Sequence, residues 1–138
     1  MDIRKKINRV IDANLNRAKE AMRVLEDISR FILSDKINTQ KIKNLRHCLQ
    51  DISKSCFNAK DLINCRDIKE DVGKTSNISE LERKGIKDIF FANIQRAKES
   101  IRVLEEFLKL INKKQSSRLK IIRYNIYQIE KELFKEIK

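Results

Sequence analysis

Proline and tryptophan are absent from the chain, and only two of its 138 residues are glycine, Gly73 and Gly85. Sheets with tight hairpins and β-propellers depend on glycine, asparagine-glycine or proline at their turns, so this scarcity argues against a β-rich fold. The longest unbroken apolar run covers residues 89–92, whereas a membrane-spanning helix needs roughly 20 apolar residues. The composition therefore predicts a soluble, cytoplasmic, all-α protein with no membrane partner.

Cysteine is also scarce, and the charge has mainly one sign. Cys48, Cys56 and Cys65 form no Cys-x-x-Cys pair, which favours free thiols over disulfides or zinc ligands. The 32 basic residues exceed the 20 acidic ones, for a net charge of +12. Such a charge suits nucleic acid, but the six phenylalanines and two tyrosines fall mostly in apolar stripes, and no nucleic-acid motif is present. Nucleic acid is therefore a disfavoured partner.

The chain contains an internal duplication. Residues 13–26, ANLNRAKEAMRVLE, and residues 92–105, ANIQRAKESIRVLE, are identical at ten of fourteen positions. Apolar residues recur at helical spacing through both copies and through the segments that follow them. The pattern predicts one domain over residues 1–138, with repeats over about 7–56 and 86–134 and a connector over about 61–85. We expect an internally duplicated bundle of four main helices, with a connector loop, a short extra helix, and Asn38 or Thr39 capping the second main helix.

Six polar residues interrupt the apolar stripes at related places in the two repeats: Asn14, Arg17 and Arg46 in the first, and Asn93, Arg96 and Arg123 in the second. A buried ion is unfavourable by several kcal/mol unless it is paired, so these arginines need anions. Internal carboxylates such as Glu20, Glu99 and Glu130 are one source. The other is a phosphate or carboxylate ligand between the helices, which planar guanidinium groups bind well. We favour the ligand pocket.

The connector carries two aspartates, Asp67 and Asp71, beside Gly73. The sequence Gly-Lys-Thr that starts at Gly73 is similar to the end of a P-loop, but Ile68 stands where that motif needs a glycine, and no strand precedes it. Carboxylates together with substrate phosphates are the usual Mg²⁺ environment. Asp67 and Asp71 are therefore candidate Mg²⁺ ligands, with solvated loop carboxylates as the alternative.

Three motifs together resemble a known family. They are the duplicated Asn-x-x-Arg-Ala-x-Glu-x-x-Arg-Val-Leu-Glu helix, a Leu-Arg-His segment at 45–47, and an Arg-Asp-x-x-x-Asp-Val-Gly connector at 66–73. The family is the helical domain that many bacteria fuse to the amino-terminal side of thiamine phosphate synthase, assigned as an alternative hydroxymethylpyrimidine phosphate kinase. The connector departs from that family's usual run, because Glu70 replaces a glycine and Lys74 precedes Thr75.

The resemblance implies ATP-dependent phosphorylation of 4-amino-5-hydroxymethyl-2-methylpyrimidine phosphate to the diphosphate, with Mg²⁺ as cofactor and a thiamine phosphate synthase domain or protein as partner. Phosphoryl transfer needs a metal bridge, so we expect Asp67 and Asp71 to hold Mg²⁺ and Asp67 to lie near the attacking hydroxyl as the catalytic group. The residues that we expect to bind substrate or phosphate are Asn14, Arg17, Arg46, Arg66, Gly73, Asn93, Arg96 and Arg123.

Two other classes of function stay open at this stage. The first is a helical mutase or lyase that grips a small dicarboxylate with its arginines and needs neither nucleotide nor metal. The second is a non-catalytic bundle that binds an anion or nucleic acid.

Overall fold

The computed structural model describes residues 2–138, apart from the side chains of residues 78 and 79. Within this range the chain forms helices and connecting turns, and no strand. The helices are α1 (Ile3–Asp27), α2 (Lys36–Cys56), α3 (Ala59–Asn64), α4 (Ile78–Leu81), α5 (Ile86–Leu108) and α6 (Lys113–Phe134). A π-helical turn over Ile28–Ile32 follows α1 directly. The predicted all-α fold, with four main helices and a short extra helix, is confirmed.

Each repeat is a helical hairpin, α1 with α2 and α5 with α6, and the hairpins pack through α1 against α5 and α2 against α6. Lys41, near the start of α2, bonds Glu132, near the end of α6. Further along α2, Cys48 accepts a hydrogen bond from Arg118, which lies earlier in α6. These two helices are therefore antiparallel. Because the chain reverses direction within each hairpin, α1 and α5 are antiparallel as well. A pseudo-two-fold axis that relates the two repeats passes between α1 and α5.

The apolar stripes of the four long helices meet in one core. Small residues, Ala18 and Ala21 on α1 and Ala97 on α5, are buried in it and let the two duplicated helices approach each other closely. The stripe of α6 contributes Leu119, Ile122, Ile126, Ile129 and Leu133. Close packing of α1 on α5 sets the duplicated polar residues of the two helices opposite one another.

The N-cap predicted for the second main helix is wrong. Asp35 caps α2, because its carboxylate accepts a hydrogen bond from the Asn38 backbone N–H at 2.9 Å and another from the Asn38 side chain at 2.8 Å. The connection between α1 and α2 is short, since the π-helical turn extends the first helix to Ile32. Asn38 therefore lies inside α2 and is buried.

The connector contains one helix that the sequence pattern did not predict, α3, which Asn58 caps through a hydrogen bond from the Lys60 backbone N–H at 2.8 Å. Residues 65–77 then run as turns and extended chain to α4. Nowhere in the described chain is a helix both long and apolar enough to cross a membrane.

Candidate functional site

A cleft of about 530 Å³ opens between α1 and α5. Its polar walls come from equivalent residues of the two repeats, Asn14, Arg17 and Glu20 on α1 and Asn93, Arg96 and Glu99 on α5. The connector contributes Glu80 from α4. The pseudo-two-fold axis therefore runs through a polar cavity that each repeat lines with an amide, a guanidinium and a carboxylate.

Arg17 and Arg96 are exposed to this cleft, and neither forms an ion pair with a described carboxylate. Arg17 Nη1 donates one long hydrogen bond, 3.4 Å, to Asn14 Oδ1. In particular, Glu20 and Glu99 leave these two arginines unneutralised. The cleft thus holds two guanidinium groups that are available to a bound anion.

Arg46 and Arg123 have a different environment, because each pairs with a buried glutamate. Arg123 donates to Glu105 through Nε and through Nη2, the latter at 3.3 Å. This pairing raises the pKa of Arg123. Arg46 Nη2 donates to Glu26 at 3.2 Å. Of the two anion sources considered for these arginines, the structure shows the internal carboxylate.

The glutamates that fill this role are not the ones that the sequence suggested. A helical wheel of α1 or α5 alone puts Glu26 and Glu105 on the polar side, yet both are buried, at 4% and 3% exposure. Glu130, expected beside Arg123, instead accepts a hydrogen bond from Lys98 at 2.9 Å. One sequence signal could have identified these pairs: each repeat contains both the glutamate and the arginine, Glu26 with Arg46 and Glu105 with Arg123.

Asn14 and Asn93 are buried at the floor of the cleft. Asn14 Nδ2 donates to the Val10 carbonyl at 2.9 Å, and Asn93 Nδ2 donates to the Ile89 carbonyl at 2.8 Å. A backbone carbonyl only accepts hydrogen bonds, so each amide must turn its nitrogen toward the helix backbone. The two Oδ1 atoms are consequently the polar atoms left for other contacts.

Arg66 does not line the cleft. Its Nε and Nη2 donate to the two carboxylate oxygens of Asp12, both at 2.8 Å, and these hydrogen bonds raise the pKa of Arg66. The next connector residue, Asp67, accepts a hydrogen bond from Arg9 Nη2 through its backbone carbonyl at 3.3 Å. Two tethers therefore hold the start of the connector on the part of α1 that faces away from the cleft.

The carboxylates of Asp67 and Asp71 also lie outside the cleft lining. Each stabilises its own loop with Oδ1: Asp67 accepts from the Glu70 backbone N–H at 3.2 Å, and Asp71 from the Gly73 backbone N–H at 2.9 Å. No group of three or more metal-ligating side chains occurs among the described residues. Both aspartates keep a free Oδ2, and Mg²⁺ usually takes only one or two protein carboxylates besides phosphate oxygens and water. Two carboxylates outside the cleft could therefore hold Mg²⁺ only together with a phosphate ligand that reaches the connector.

Gly73 has no positive φ, and a Cβ there would lie 3.6 Å from Asp71 Oδ1, an ordinary contact. The structure thus gives this glycine no conformational requirement of its own.

Comparison with known proteins agrees with the resemblance seen in the sequence. A family model described as the ThiD2 family matches residues 9–132. The chain is similar to thiamine-phosphate synthase of Prochlorococcus marinus subsp. pastoris, with 34% identity over 93% of this chain and 35% of the relative. It is also similar to thiamine-phosphate synthase of Synechocystis sp., with 35% identity over 90% of this chain and 35% of the relative, and of Rhodopirellula baltica, with 36% identity over 91% and 33%.

The chain thus spans about one third of the length of these relatives. No solved structure matches it. The duplicated helix motif and the connector motif had pointed to this family. Because the family model covers most of the chain, the protein belongs to the ThiD2 family.

Proposed function

We propose that this chain acts in thiamine biosynthesis, by transferring the γ-phosphoryl group of ATP to 4-amino-5-hydroxymethyl-2-methylpyrimidine phosphate. The observation that carries the proposal is the cleft with two unpaired arginines, Arg17 and Arg96, at equivalent places of a duplicated fold. A kinase of this kind must hold two phosphate-bearing substrates side by side. The name of the longer relatives, thiamine-phosphate synthase, supports the pathway.

The cleft divides naturally between the two substrates. Its volume of about 530 Å³ lies within the range of about 300–1,000 Å³ that small-molecule sites occupy. One half-site would bind the phosphate of the pyrimidine and the pseudo-symmetric half-site the phosphates of ATP. Each half-site offers one planar guanidinium, a group that binds phosphate oxygens in pairs.

The chemistry of this transfer needs little covalent help from the protein. The hydroxymethyl group of the substrate is already esterified, so the attacking atom is a phosphate oxygen, not a hydroxyl. The second pKa of a phosphate monoester is about 6, so the attacking oxygen is largely deprotonated at neutral pH. A bond forms from this oxygen to the γ-phosphorus while the bond to the β-phosphate oxygen breaks, and ADP leaves. The arginines would offset the repulsion between the two anions and stabilise the charge of the transition state.

This chemistry changes the role expected of Asp67. Because no hydroxyl proton has to be removed, a general base near the attacking atom is unnecessary, and we propose Asp67 and Asp71 as ligands of Mg²⁺. Because both carboxylates lie outside the cleft lining, Mg²⁺ held there would supply neutralising charge only to ATP phosphates that extend from the cleft to the connector. The free Oδ2 atoms of the two aspartates would hold it, while their Oδ1 atoms keep the connector turns folded.

The direct test is incubation of the purified protein with Mg-ATP and the pyrimidine monophosphate, followed by detection of the diphosphate by mass. We expect product, and no product after a chelator is added. A folded sample that yields none beside a working control kinase contradicts the proposal.

The division of the cleft is tested by Arg17→Ala and Arg96→Ala, compared with Arg4→Ala, an exposed arginine of α1 outside the cleft. We expect the two cleft variants to raise the Michaelis constants of different substrates and Arg4→Ala to change neither. Equal effects of both cleft variants on both Michaelis constants would contradict the two-site arrangement.

A second candidate is a mutase or lyase that grips a small dicarboxylate, since the two connector aspartates lie outside the cleft and an arginine site alone would suffice. Stabilisation of the protein by ATP in a thermal shift assay argues against this candidate.

As the chain spans one third of the length of its relatives, we also propose that a thiamine phosphate synthase domain or partner protein receives the product.

A further inference from the structure

We propose that Asn93 Oδ1 accepts a hydrogen bond from the 4-amino group of the pyrimidine, so that Asn93 and Arg96 together recognise an aminopyrimidine phosphate. This inference rests on the proposed function and deepens it, because it assigns the pyrimidine to the α5 half of the cleft. It also gives Asn93 a role that differs from phosphate binding.

The orientation of the Asn93 amide follows from its partner. Nδ2 donates to the Ile89 carbonyl at 2.8 Å, and a flipped amide would set two acceptor oxygens against each other. Asn93 is 8% exposed, and no described group donates to its Oδ1. This oxygen keeps some exposure to solvent, and the open side of the residue is the cleft. The side chain is therefore arranged to receive a donor from a ligand.

The two halves of the cleft differ in this respect. On α1, Asn14 Oδ1 already accepts a hydrogen bond from Arg17 Nη1 at 3.4 Å. On α5, Asn93 Oδ1 and the Arg96 guanidinium are both without a described partner. Only the α5 half thus presents a free acceptor and a free cation together.

Ligand chemistry then decides what fits. A phosphate oxygen at neutral pH accepts hydrogen bonds, so it is a partner for Arg96 and not for Asn93 Oδ1. An amino group donates, and in this substrate it occupies the ring carbon next to the one that bears the phosphorylated hydroxymethyl group. Asn93 and Arg96 are three residues apart on one helix, a spacing that sets their Cβ atoms about 5–6 Å apart on the same face. One compact ligand can therefore contact both side chains.

The test compares turnover of the natural substrate with that of its 4-oxo analogue, in which an acceptor replaces the amino donor. Sites built around a substrate hydrogen bond reject analogues that lack it by about 10⁴–10⁵-fold, so we expect the wild type to prefer the amino compound by at least about 100-fold in kcat/KM. Asn93→Ala should reduce that preference by at least about tenfold. Asn93→Ser serves as a second variant, because a serine hydroxyl can still bond the carbonyl four residues earlier and keep the helix satisfied.

Asn14→Ala is the matched control, since it removes the equivalent amide from the other repeat. We expect it to weaken binding through Arg17 and to leave the amino-to-oxo preference as in the wild type. A parallel comparison of ATP with inosine triphosphate tests whether the adenine amino group is the donor instead.

An unchanged amino-to-oxo preference in both Asn93 variants overturns the inference, and so does a selective loss of the preference for ATP over inosine triphosphate. The proposed function fails differently, through a wild-type protein that neither converts the natural substrate nor binds it in calorimetry, and that result overturns both. Turnover by the wild type with an unaltered preference in the variants overturns the role of Asn93 alone.

Discussion

Arg46 and Arg123 pair with buried glutamates, whereas Arg17 and Arg96 form no described ion pair, and unfolding measurements can separate these two kinds of arginine. Replacing Arg123 with alanine leaves Glu105, which is 3% exposed, as a buried charge whose closest remaining cation is Arg102 at 3.9 Å. Breaking a buried ion pair from one side costs about 3–5 kcal/mol. Since the Arg123 side chain is itself only 11% exposed, solvent screening reduces this value little.

This loss converts into a large thermal shift. At about 2.1 cal/mol/K per residue, the 138 residues of the chain correspond to an unfolding entropy of about 0.29 kcal/mol/K. The melting temperature of Arg123→Ala should therefore fall by about 10–17 °C. Arg96→Ala, which breaks no described ion pair, should change the free energy of unfolding by less than about 0.5 kcal/mol and the melting temperature by less than about 2 °C.

The pseudo-equivalent Arg46→Ala should lie between these two variants. Glu26 would keep its hydrogen bond from Arg23 at 2.8 Å, and Arg46 Nε is already buried without a partner. The double variant Glu105→Gln with Arg123→Met should recover much of the stability that Arg123→Ala loses, because no uncompensated buried charge remains.

Calorimetry and urea unfolding at neutral pH provide the assay, with circular dichroism to verify helicity. A loss below about 1 kcal/mol for Arg123→Ala, less than breaking even an exposed ion pair can cost, would refute the reasoning. So would a loss for Arg96→Ala that equals it.

Three further predictions concern the connector and the helix caps. Asp35→Ala should lower the free energy of unfolding by about 1 kcal/mol. Hydrogen bonds from the Asn38 side chain and backbone hold the pKa of Asp35 below its ordinary value of 3.8, so the difference between wild type and variant should persist above that pH and vanish as the pH falls through the lowered pKa. A difference that survives in strong acid would contradict this prediction. Asp12→Ala should change the free energy of unfolding little, since the Arg66 side chain is exposed and its ion pair is screened by solvent. It should nevertheless speed limited proteolysis within residues 66–77, and equal cleavage rates would argue against the tether. Asp67→Asn and Asp71→Asn should each raise the Mg²⁺ concentration for half-maximal turnover by at least about tenfold, since even mutation of residues that only support metal ligands weakens metal binding by that much. Asp61→Asn, at an exposed position, serves as the control. Mg²⁺ titrations of the two variants that match the wild type would exclude Asp67 and Asp71 as ligands.

Much of the fold can be predicted from the sequence because its signals are local. Apolar spacing at 3.6 residues defines each long helix, and the repeated fourteen residues show that α1 and α5 are copies. The helix ends were less predictable, since a π-helical turn and a cap at Asp35 depend on how the chain passes from α1 to α2. Helix α3 was missed because six residues carry too little periodicity to identify a helix.

The candidate site was predictable in part. Asn14, Arg17, Asn93 and Arg96 lie in one cleft, as expected of duplicated polar residues on helices that pack together, whereas their roles in binding stay predictions. Arg66 and the two connector aspartates do not join them there, because a loop carries no periodicity from which its path over the bundle can be calculated.

By itself, the sequence determined that this protein is an all-α duplication, that polar groups enter its core at matching places, and which family it resembles. Only the tertiary structure decided which of those groups are free. Glu26 and Glu105 look solvent-exposed on an isolated helix, and they become buried partners of Arg46 and Arg123 once neighbouring helices cover them. Helical periodicity is a property of neighbours in the chain, whereas the pairing of a buried charge depends on residues 18 or more positions away.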